Sequence, residues 1–141
     1  MVDQLERLVE NARGLVADGY YDRAGPLSPG PSLAGALRSC PGFPIIAEVK
    51  MSSPSLGNIS PHGPQRLVRD YVGAGAAAIS VLTEPNRFRG SLDSLLLASA
   101  EKVPLLMKDI IVSSEQIRAG ATRGASAVLL IEGAFNGPSA H

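Results

Sequence analysis

The chain has 141 residues, of which 45% are hydrophobic and 18% are charged, with thirteen basic and thirteen acidic side chains. This length fits one domain, and the apolar content is sufficient for a buried core. The balanced charge argues against a nucleic-acid or anionic-membrane partner, because both attract a basic excess. The single cysteine, Cys40, cannot form an internal disulfide or a cysteine-based zinc site. We therefore expect a reducing, cytoplasmic location and no cysteine-based metal site.

Residues 1–43 are predicted to form a helical extension followed by a connector. Apolar side chains at positions 5, 8, 9, 12 and 16 have the spacing of one helix face over residues 3–16, with Asp3 as the N-cap. Charged residues interrupt this stripe, so the segment does not resemble a signal peptide, and no apolar run is long enough to span a bilayer. Residues 19–33 are rich in Gly and Pro, which is typical of a connector, and residues 33–38 can form a short helix.

Residues 44–141 contain a repeat whose spacing is that of a βα unit. Four short and almost continuously apolar runs are predicted as strands buried on both faces, over residues 44–50, 77–84, 104–112 and 126–131. Helices are predicted between them, over residues 65–72, 92–101 and 115–123. Ser91 is a candidate N-cap, and Ser113 with Gln116 fits a capping box. A buried helix could produce one such run, but four runs that alternate with capped helices favour a parallel α/β sheet.

Polar side chains concentrate at the end of each predicted strand: Glu48, Lys50, Thr83, Glu84, Lys108, Asp109 and Glu132. Parallel α/β folds bind ligands beyond the carboxyl ends of their strands, and folding alone would not favour charges there. The two-residue spacing directs Glu48 and Lys50 to one face of their strand, and Lys108 can enter the same mouth from another strand. Two lysines and a carboxylate suit an anionic substrate and proton transfer. The alternative is a set of salt bridges at the rim.

The loop after Lys50 is a second candidate for ligand binding. Its serine hydroxyls and backbone N–H groups could bind a carboxylate or phosphate, although an ordinary turn-rich loop would have the same composition. No GxGxxG, Walker A or HExxH pattern occurs in the sequence, so nucleotide-binding and zinc-protease functions lack support. Cys40 has no evident base partner and is expected to be chemically inert.

Four motifs, in order and at suitable spacing, resemble the indole-3-glycerol phosphate synthase family. They are PIIAEVK at 44–50 with the following Ser53-Pro54-Ser55, AISVLTE at 78–84 with FRGSL at 88–92, PLLMKD at 104–109 with Gln116-Ile117, and AVLLI at 127–131 after Gly124-Ala125. The resemblance implies an α/β fold of the (β/α)8 TIM-barrel type, with about the first four βα units present and an extra N-terminal helix. It also implies ring closure of 1-(2-carboxyphenylamino)-1-deoxyribulose 5-phosphate, with loss of CO2 and water, in tryptophan biosynthesis and without a cofactor.

The resemblance further implies roles for individual residues. Lys108 would be the general acid, while Glu48 and Lys50 would bind the substrate carboxylate and take part in later proton transfers. Such fixed charges can stabilise the oxyanion and iminium charge that develops in the reaction. The residues expected to contact the anthranilate part of the substrate are Ser53, Pro54, Ser55, Phe88, Ile110 and Leu129. Two positions depart from the family pattern: Ile110 stands where Phe is usual, and Glu132 stands where the strand usually continues apolar.

A complete (β/α)8 barrel needs about 250 residues. The chain is therefore expected to lack the family's later catalytic Glu and Asn and its main phosphate-binding loops. A half barrel exposes two sheet edges and one core face, so we expect a homodimer or a complex with a separate C-terminal half. A non-catalytic interaction module and a different phosphate-handling βα protein are the alternatives, and the Glu-Val-Lys and Met-Lys-Asp motifs disfavour the latter.

Overall fold

The computed structural model of the chain describes residues 4–22, 24–53, 57–58 and 61–135. The elements in chain order are α1 (Gln4–Ala17), α2 (Leu33–Ser39), β1 (Ile46–Val49), β2 (Ser52–Ser53), β3 (Gly57–Asn58), α3 (Pro64–Gly73), β4 (Ala78–Leu82), α4 (Pro85–Phe88), α5 (Leu92–Ser99), β5 (Leu105–Lys108), α6 (Ser114–Ala121), β6 (Ala127–Val128) and a 3-10 helix (Glu132–Ala134). Among these described residues, no helix has both the length and the apolar character needed to cross a bilayer.

The main sheet has the strand order β1-β4-β5-β6, and every neighbouring pair is parallel. Parallel neighbours require a crossover, and α3, α5 and α6 provide one between each successive pair. Glu48 lies opposite Ser80, and Leu82 lies opposite Lys108. The predicted α/β fold, with four parallel strands and three intervening helices, is therefore confirmed. Strands β2 and β3 form a separate antiparallel hairpin within the loop that follows β1.

One face of the sheet forms the main hydrophobic core with the crossover helices. The sheet contributes Val49, Ile79, Val81, Leu105 and Met107, and the helices contribute Val68, Leu92, Leu95, Ala98 and Ala119. Fully burying a Val, Leu or Ile side chain stabilises a fold by roughly 1.5–3 kcal/mol, so this layer supplies most of the driving force. Because side chains alternate along a strand, the opposite face carries Glu48, Ser80, Leu82 and Lys108.

The strands are shorter than the apolar runs that predicted them. The third run was predicted over 104–112, but β5 ends at Lys108 and the chain then turns into α6. The fourth run was predicted over 126–131, but only Ala127–Val128 is a strand. Apolar character reports burial rather than strand pairing, and among the described residues β6 hydrogen-bonds to β5 alone. The predicted N-cap Asp3 lies outside the described residues.

The predicted helix starts agree with the structure. The Ser91 hydroxyl accepts a hydrogen bond from the backbone N–H of Ser94 at 2.9 Å, which caps α5. Ser113 and Gln116 form the predicted capping box at the start of α6. The short helix expected after the connector is present as α2, and its N-cap is Ser32.

Helix α1 lies at the carboxyl ends of the parallel strands. Val9 and Ala12 pack against Ile110, which follows β5, and against Ala134, which follows β6. Asn11 donates a hydrogen bond to Glu84, which follows β4. Since all three contacts involve segments just beyond strand ends, α1 covers the end of the sheet where a ligand site is expected.

We expect Gly90→Ala to lower the free energy of unfolding by about 1–3 kcal/mol, through forced displacement of a packed backbone. An added methyl group would lie 2.8 Å from the Thr83 backbone nitrogen and would overlap the Leu82 carbonyl. Urea denaturation measures the change. The control is Gly73→Ala, because Gly73 has open space at the corresponding position, so this change should stay within about 0.5 kcal/mol. Equal stabilities for the two variants would contradict the prediction.

Candidate active site

A cavity of about 190 Å³ opens at the carboxyl ends of β1, β4, β5 and β6. Its lining residues all come from strand ends or from the segments that follow them: Glu48, Lys50, Leu82, Glu84, Phe88, Lys108, Asp109, Ile110, Leu129 and Ile131. The location is the one that parallel α/β folds use for ligands, and most of the wall is apolar. Within the described ranges, no group of three His, Cys, Asp or Glu side chains could hold a metal ion.

Lys108 and Glu48 form an ion pair across the mouth of the cavity. The Lys108 Nζ donates to Glu48 Oε2 at 2.5 Å. The two side chains are 39% and 30% exposed, so the pair is accessible from solvent and is not sealed in the core. They come from β5 and β1, and the strand between them, β4, presents the small Ser80 beside Glu48. The short serine side chain leaves room for the lysine to reach the carboxylate.

Lys50 faces the same cavity from the end of β1. Its side chain has no salt-bridge partner among the residues that the structure describes. A lysine that lines a cavity without a carboxylate partner is suited to bind an anionic group of a ligand. The structure therefore brings Glu48, Lys50 and Lys108 around one cavity, as predicted. The salt bridge at the rim, which was the alternative interpretation, is also present between Lys108 and Glu48.

Three predicted substrate-contact residues form the apolar side of the cavity: Phe88, Ile110 and Leu129. Phe88 is the last residue of α4, a helix that the sequence analysis did not predict. Ile110 is 8% exposed because it also packs against α1, and Leu129 is 37% exposed beyond the end of β6. An aromatic ring and two aliphatic side chains can hold a flat, apolar ring against the charged side of the cavity.

The predicted contacts from the loop after β1 are described only in part. Ser53 belongs to β2, and its backbone pairs with Gly57 of β3. Pro54 and Ser55 lie outside the described residues. Strand β2 lies beside α4, so this loop reaches the same end of the sheet as the cavity.

Glu84, which the sequence analysis grouped with the polar residues of the rim, is engaged in local structure. It is 1% exposed, and its carboxylate caps α4. The backbone N–H groups of Asn86, Arg87 and Phe88 all donate to it. This side chain touches the cavity, but its acceptor positions are already occupied.

Thr83 and Asp109 form a buried polar cluster together with Tyr21. Asp109 Oδ2 accepts from the Thr83 hydroxyl at 2.5 Å and from the Tyr21 hydroxyl at 2.9 Å. Its Oδ1 accepts from the Ile110 backbone N–H at 2.8 Å. Burial raises the pKa of Asp109 to about 6, and the charge of Glu84 adds to this rise. The three hydrogen bonds act in the opposite direction, because they stabilise the ionised carboxylate.

Tyr21 was not predicted as a site residue, because it lies in a connector whose sequence has no strand or helix pattern. Burial, and then the charge of Asp109, raise the pKa of Tyr21, so the hydroxyl keeps its proton and remains a donor. The neighbouring Tyr20 packs edge-on against the Tyr21 ring and donates to the Thr83 carbonyl at 3.0 Å. The connector is thereby fastened to the ends of β4 and β5. Two adjacent tyrosines in a Gly/Pro-rich segment were the only available signal.

Four parallel strands joined by three crossover helices, with a cavity at the carboxyl ends of the strands and a helix across that end, place the chain in the (β/α)8-barrel class. Comparison with known families identifies which one. A family model described as indole-3-glycerol phosphate synthase matches residues 22–140. The chain belongs to the indole-3-glycerol phosphate synthase family, which confirms the resemblance found in its motifs.

Individual relatives agree with this assignment. Proteins named indole-3-glycerol phosphate synthase from Mycolicibacterium smegmatis and Mycobacterium sp. (strain KMS) are 40% and 44% identical over 144 residues, which cover 95% of this chain and 53% of each relative. The similarly named protein from Mycobacterium ulcerans is 48% identical over 103 residues, which cover 72% of this chain and 38% of the relative. The chain thus spans about half the length of the curated relatives that it matches.

Proposed function

We propose that this chain contributes the acid and aryl-binding part of an indole-3-glycerol phosphate synthase active site. The reaction closes the indole ring of 1-(2-carboxyphenylamino)-1-deoxyribulose 5-phosphate with loss of CO2 and water. The single observation that carries the proposal is that Lys108, Glu48 and Lys50 line the same cavity as Phe88, Ile110 and Leu129. A phosphorylated small molecule is then the substrate, the cytoplasm is the location, and no cofactor is required.

The charged side of the cavity suits the proton transfers of this reaction. Lys108 donates its proton to the substrate carbonyl oxygen as an aromatic ring carbon attacks the carbonyl carbon. The ion pair with Glu48 holds the ammonium in a fixed position before the reaction begins, which avoids reorganisation during the step. Loss of CO2 restores the aromatic ring. The hydroxyl that was the carbonyl oxygen then takes up a second proton and leaves as water, and the adjacent substrate CH2 group loses a proton to form the indole double bond. The charge of Lys50 attracts the substrate carboxylate.

The apolar side suits the anthranilate ring of the substrate. Phe88, Ile110 and Leu129 converge on the cavity from three separate βα segments. A cavity of about 190 Å³ has room for an aromatic ring. In this proposal residues 44–141 are the first half of a barrel, residues 1–43 are an extension, and the phosphate end of the substrate is held by groups outside this chain.

We expect the purified chain alone to form no indole-3-glycerol phosphate, and the chain combined with a second half to form it. The second half is the part of the Mycolicibacterium smegmatis relative that lies outside the 53% covered by the match. Product is measured by its indole fluorescence. Cys40→Ser, which changes a thiol remote from the cavity, should leave the rate unchanged. Turnover by the chain alone would contradict a divided site, and an inactive complex of co-purified halves would contradict the proposed activity.

A non-catalytic half barrel that associates with a second copy or with a separate C-terminal half is the second candidate function. It is favoured by large apolar side chains exposed beside both outer strands. Phe43 and Ile45, ahead of β1, are 89% and 57% exposed, and Leu130, after β6, is 58% exposed. In the described sheet, β1 and β6 each have one neighbouring strand. Open edges and exposed apolar patches favour association with another chain.

Phe43→Lys is expected to weaken this association at least tenfold, because it introduces a charge beside the open edge of β1. Analytical ultracentrifugation across a concentration series measures the change. Leu27→Lys is the matched control, since Leu27 is 59% exposed but belongs to the connector. A chain that sediments as a monomer at all concentrations, and does not bind the second half, would rule out this candidate.

A further inference from the structure

The short helix α4 carries an aromatic wall of the cavity but has little stability of its own. It is four residues long, Pro85–Phe88, and ends at Arg89 in the left-handed conformation with φ 51°. A helix of one turn cannot offset the entropy of its own nucleation, so outside contacts must hold it. Its orientation determines where the Phe88 ring lies, because Phe88 is its last residue.

The Glu84 carboxylate supplies those contacts. Oε1 accepts from the Asn86 N–H at 2.8 Å, and Oε2 accepts from the N–H groups of Arg87 at 2.7 Å and Phe88 at 3.0 Å. At the other end of the turn, the Glu84 carbonyl accepts from the Gly90 N–H at 2.9 Å. One residue therefore binds both ends of the segment that carries Phe88.

Asn11 extends this arrangement to helix α1. Its side-chain nitrogen donates to Glu84 Oε1 at 2.9 Å, and its side-chain oxygen accepts from the Asn86 side chain at 2.7 Å. The neighbouring Ala12 of α1 packs against Ile110, another wall of the cavity. Helix α1 thus packs directly against Ile110, and it is linked to the helix that carries Phe88 through Glu84 and Asn86.

Helix capping alone does not account for a buried carboxylate at this position. Two longer helices begin with neutral side chains alone. Ser91 caps α5 with its hydroxyl, and Ser113 caps α6 with its hydroxyl and the Gln116 amide. A buried carboxylate carries a desolvation cost that a serine avoids, and here it is met by four donors directed at both oxygens. The additional donors restrain the helix in more than one direction, which a cap does not require.

We propose that Glu84 is a positioning residue, which holds Phe88 at the cavity wall and couples it to α1 through Asn11. The ligand held by the Phe88 ring is a planar aromatic carboxylate. The identity of this ligand rests on the proposed function, whereas the positions of Glu84 and Phe88 do not. Glu84 itself has no free acceptor to offer a substrate, and its effect on binding passes through the Phe88 ring.

The test compares Glu84→Gln with Ser91→Ala in the full chain by NMR and by anthranilate titration. Glu84→Gln keeps the shape but replaces one acceptor oxygen by an amide that faces N–H donors. We expect the NOEs between the Phe88 ring and the methyl groups lining the cavity to weaken, and the Kd for anthranilate to rise five- to tenfold. Ser91→Ala removes the cap of α5, which carries no cavity residue. It should lower the urea midpoint and leave both readouts unchanged.

Asn11→Ala tests the same inference with a milder change, since the three backbone donors to Glu84 remain. Asn11→Ala should shift the Phe88 resonances in the same direction as Glu84→Gln does, but by a smaller amount. It also provides the test if the Glu84→Gln variant does not fold. Unaltered Phe88 NOEs and anthranilate affinity in the Glu84 and Asn11 variants would overturn the inference and leave Glu84 as an ordinary cap. Failure of the unaltered chain to bind anthranilate would contradict the proposed function, whereas the Phe88 NOEs would still decide the role of Glu84.

Discussion

Replacement of Lys108 by alanine is expected to lower the turnover of the chain combined with its second half by about 10²- to 10⁴-fold, the usual contribution of a positioned general acid. The reason is the position of Lys108 at the end of β5, where its ammonium faces the cavity and is held by Glu48. Steady-state formation of indole-3-glycerol phosphate measures the effect. The loss should fall mainly on kcat, because proton donation stabilises the transition state rather than the bound substrate.

The control for this prediction is Arg118→Ala, which removes an exposed cation from α6 outside the cavity. Its expected effect on turnover is small, since exposed charges remote from the site are largely screened by solvent. Activity that survives Lys108→Ala, in a variant that still binds the second half, would remove Lys108 as the acid and leave the ion pair with Glu48 as a structural feature.

The Asp109→Asn variant should become more stable relative to the unaltered chain as pH rises from about 4 to 6. Burial raises the pKa of Asp109 from 3.8 to about 6, so the folded state retains a proton that the unfolded state has lost across this range. Stability from this group is therefore fully present below pH 3.8 and falls as pH rises through 6. The pKa shift corresponds to a pH-dependent change of about 3 kcal/mol in the free energy of unfolding. The side-chain amide of Asp109→Asn does not titrate, so the variant lacks this change.

Urea denaturation of both proteins at intervals from pH 3.5 to 7 measures this difference. Loss of hydrogen bonds from Thr83 and Tyr21 adds a constant offset, and only the change with pH reports the titration. Parallel profiles for Asp109→Asn would show that Asp109 is ionised in the fold without penalty.

Much of the fold was predictable because buried strands appear in the sequence as short runs of apolar residues. Ile79 and Val81 are buried in the middle of an apolar run, as expected for a parallel strand covered on both faces. Ser91 and Ser113 cap helices where the pattern predicted. Strand ends were less predictable, since residues 129–131 remain apolar beyond the last strand pairing. Strand pairing depends on the neighbouring strand, which a local pattern does not contain.

The charged part of the site was also predictable, and for a geometric reason. Alternation along β1 directs Glu48 and Lys50 to one face, and parallel strands bring their carboxyl ends to the same edge as Lys108. Neither step requires knowledge of a distant contact. The apolar lining was predicted from the family resemblance alone, because no local pattern predicts that Phe88, Ile110 and Leu129 line one cavity.

The amino-acid sequence by itself determined the repeat of strands and helices, the edge of the sheet at which charges collect, and the family. Only the tertiary structure shows which of the polar residues at that edge face the cavity and which hold local structure together. Glu84 and Asp109 follow neighbouring strands and look equivalent in the sequence, yet one caps the helix that carries Phe88 and the other binds Tyr21. The difference arises because a buried carboxylate takes the donors that packing brings to it. Each carboxylate here combines donors nearer to it in the chain with one distant donor, Asn11 of α1 for Glu84 and Tyr21 of the connector for Asp109, and both distant donors lie more than 70 residues away in sequence.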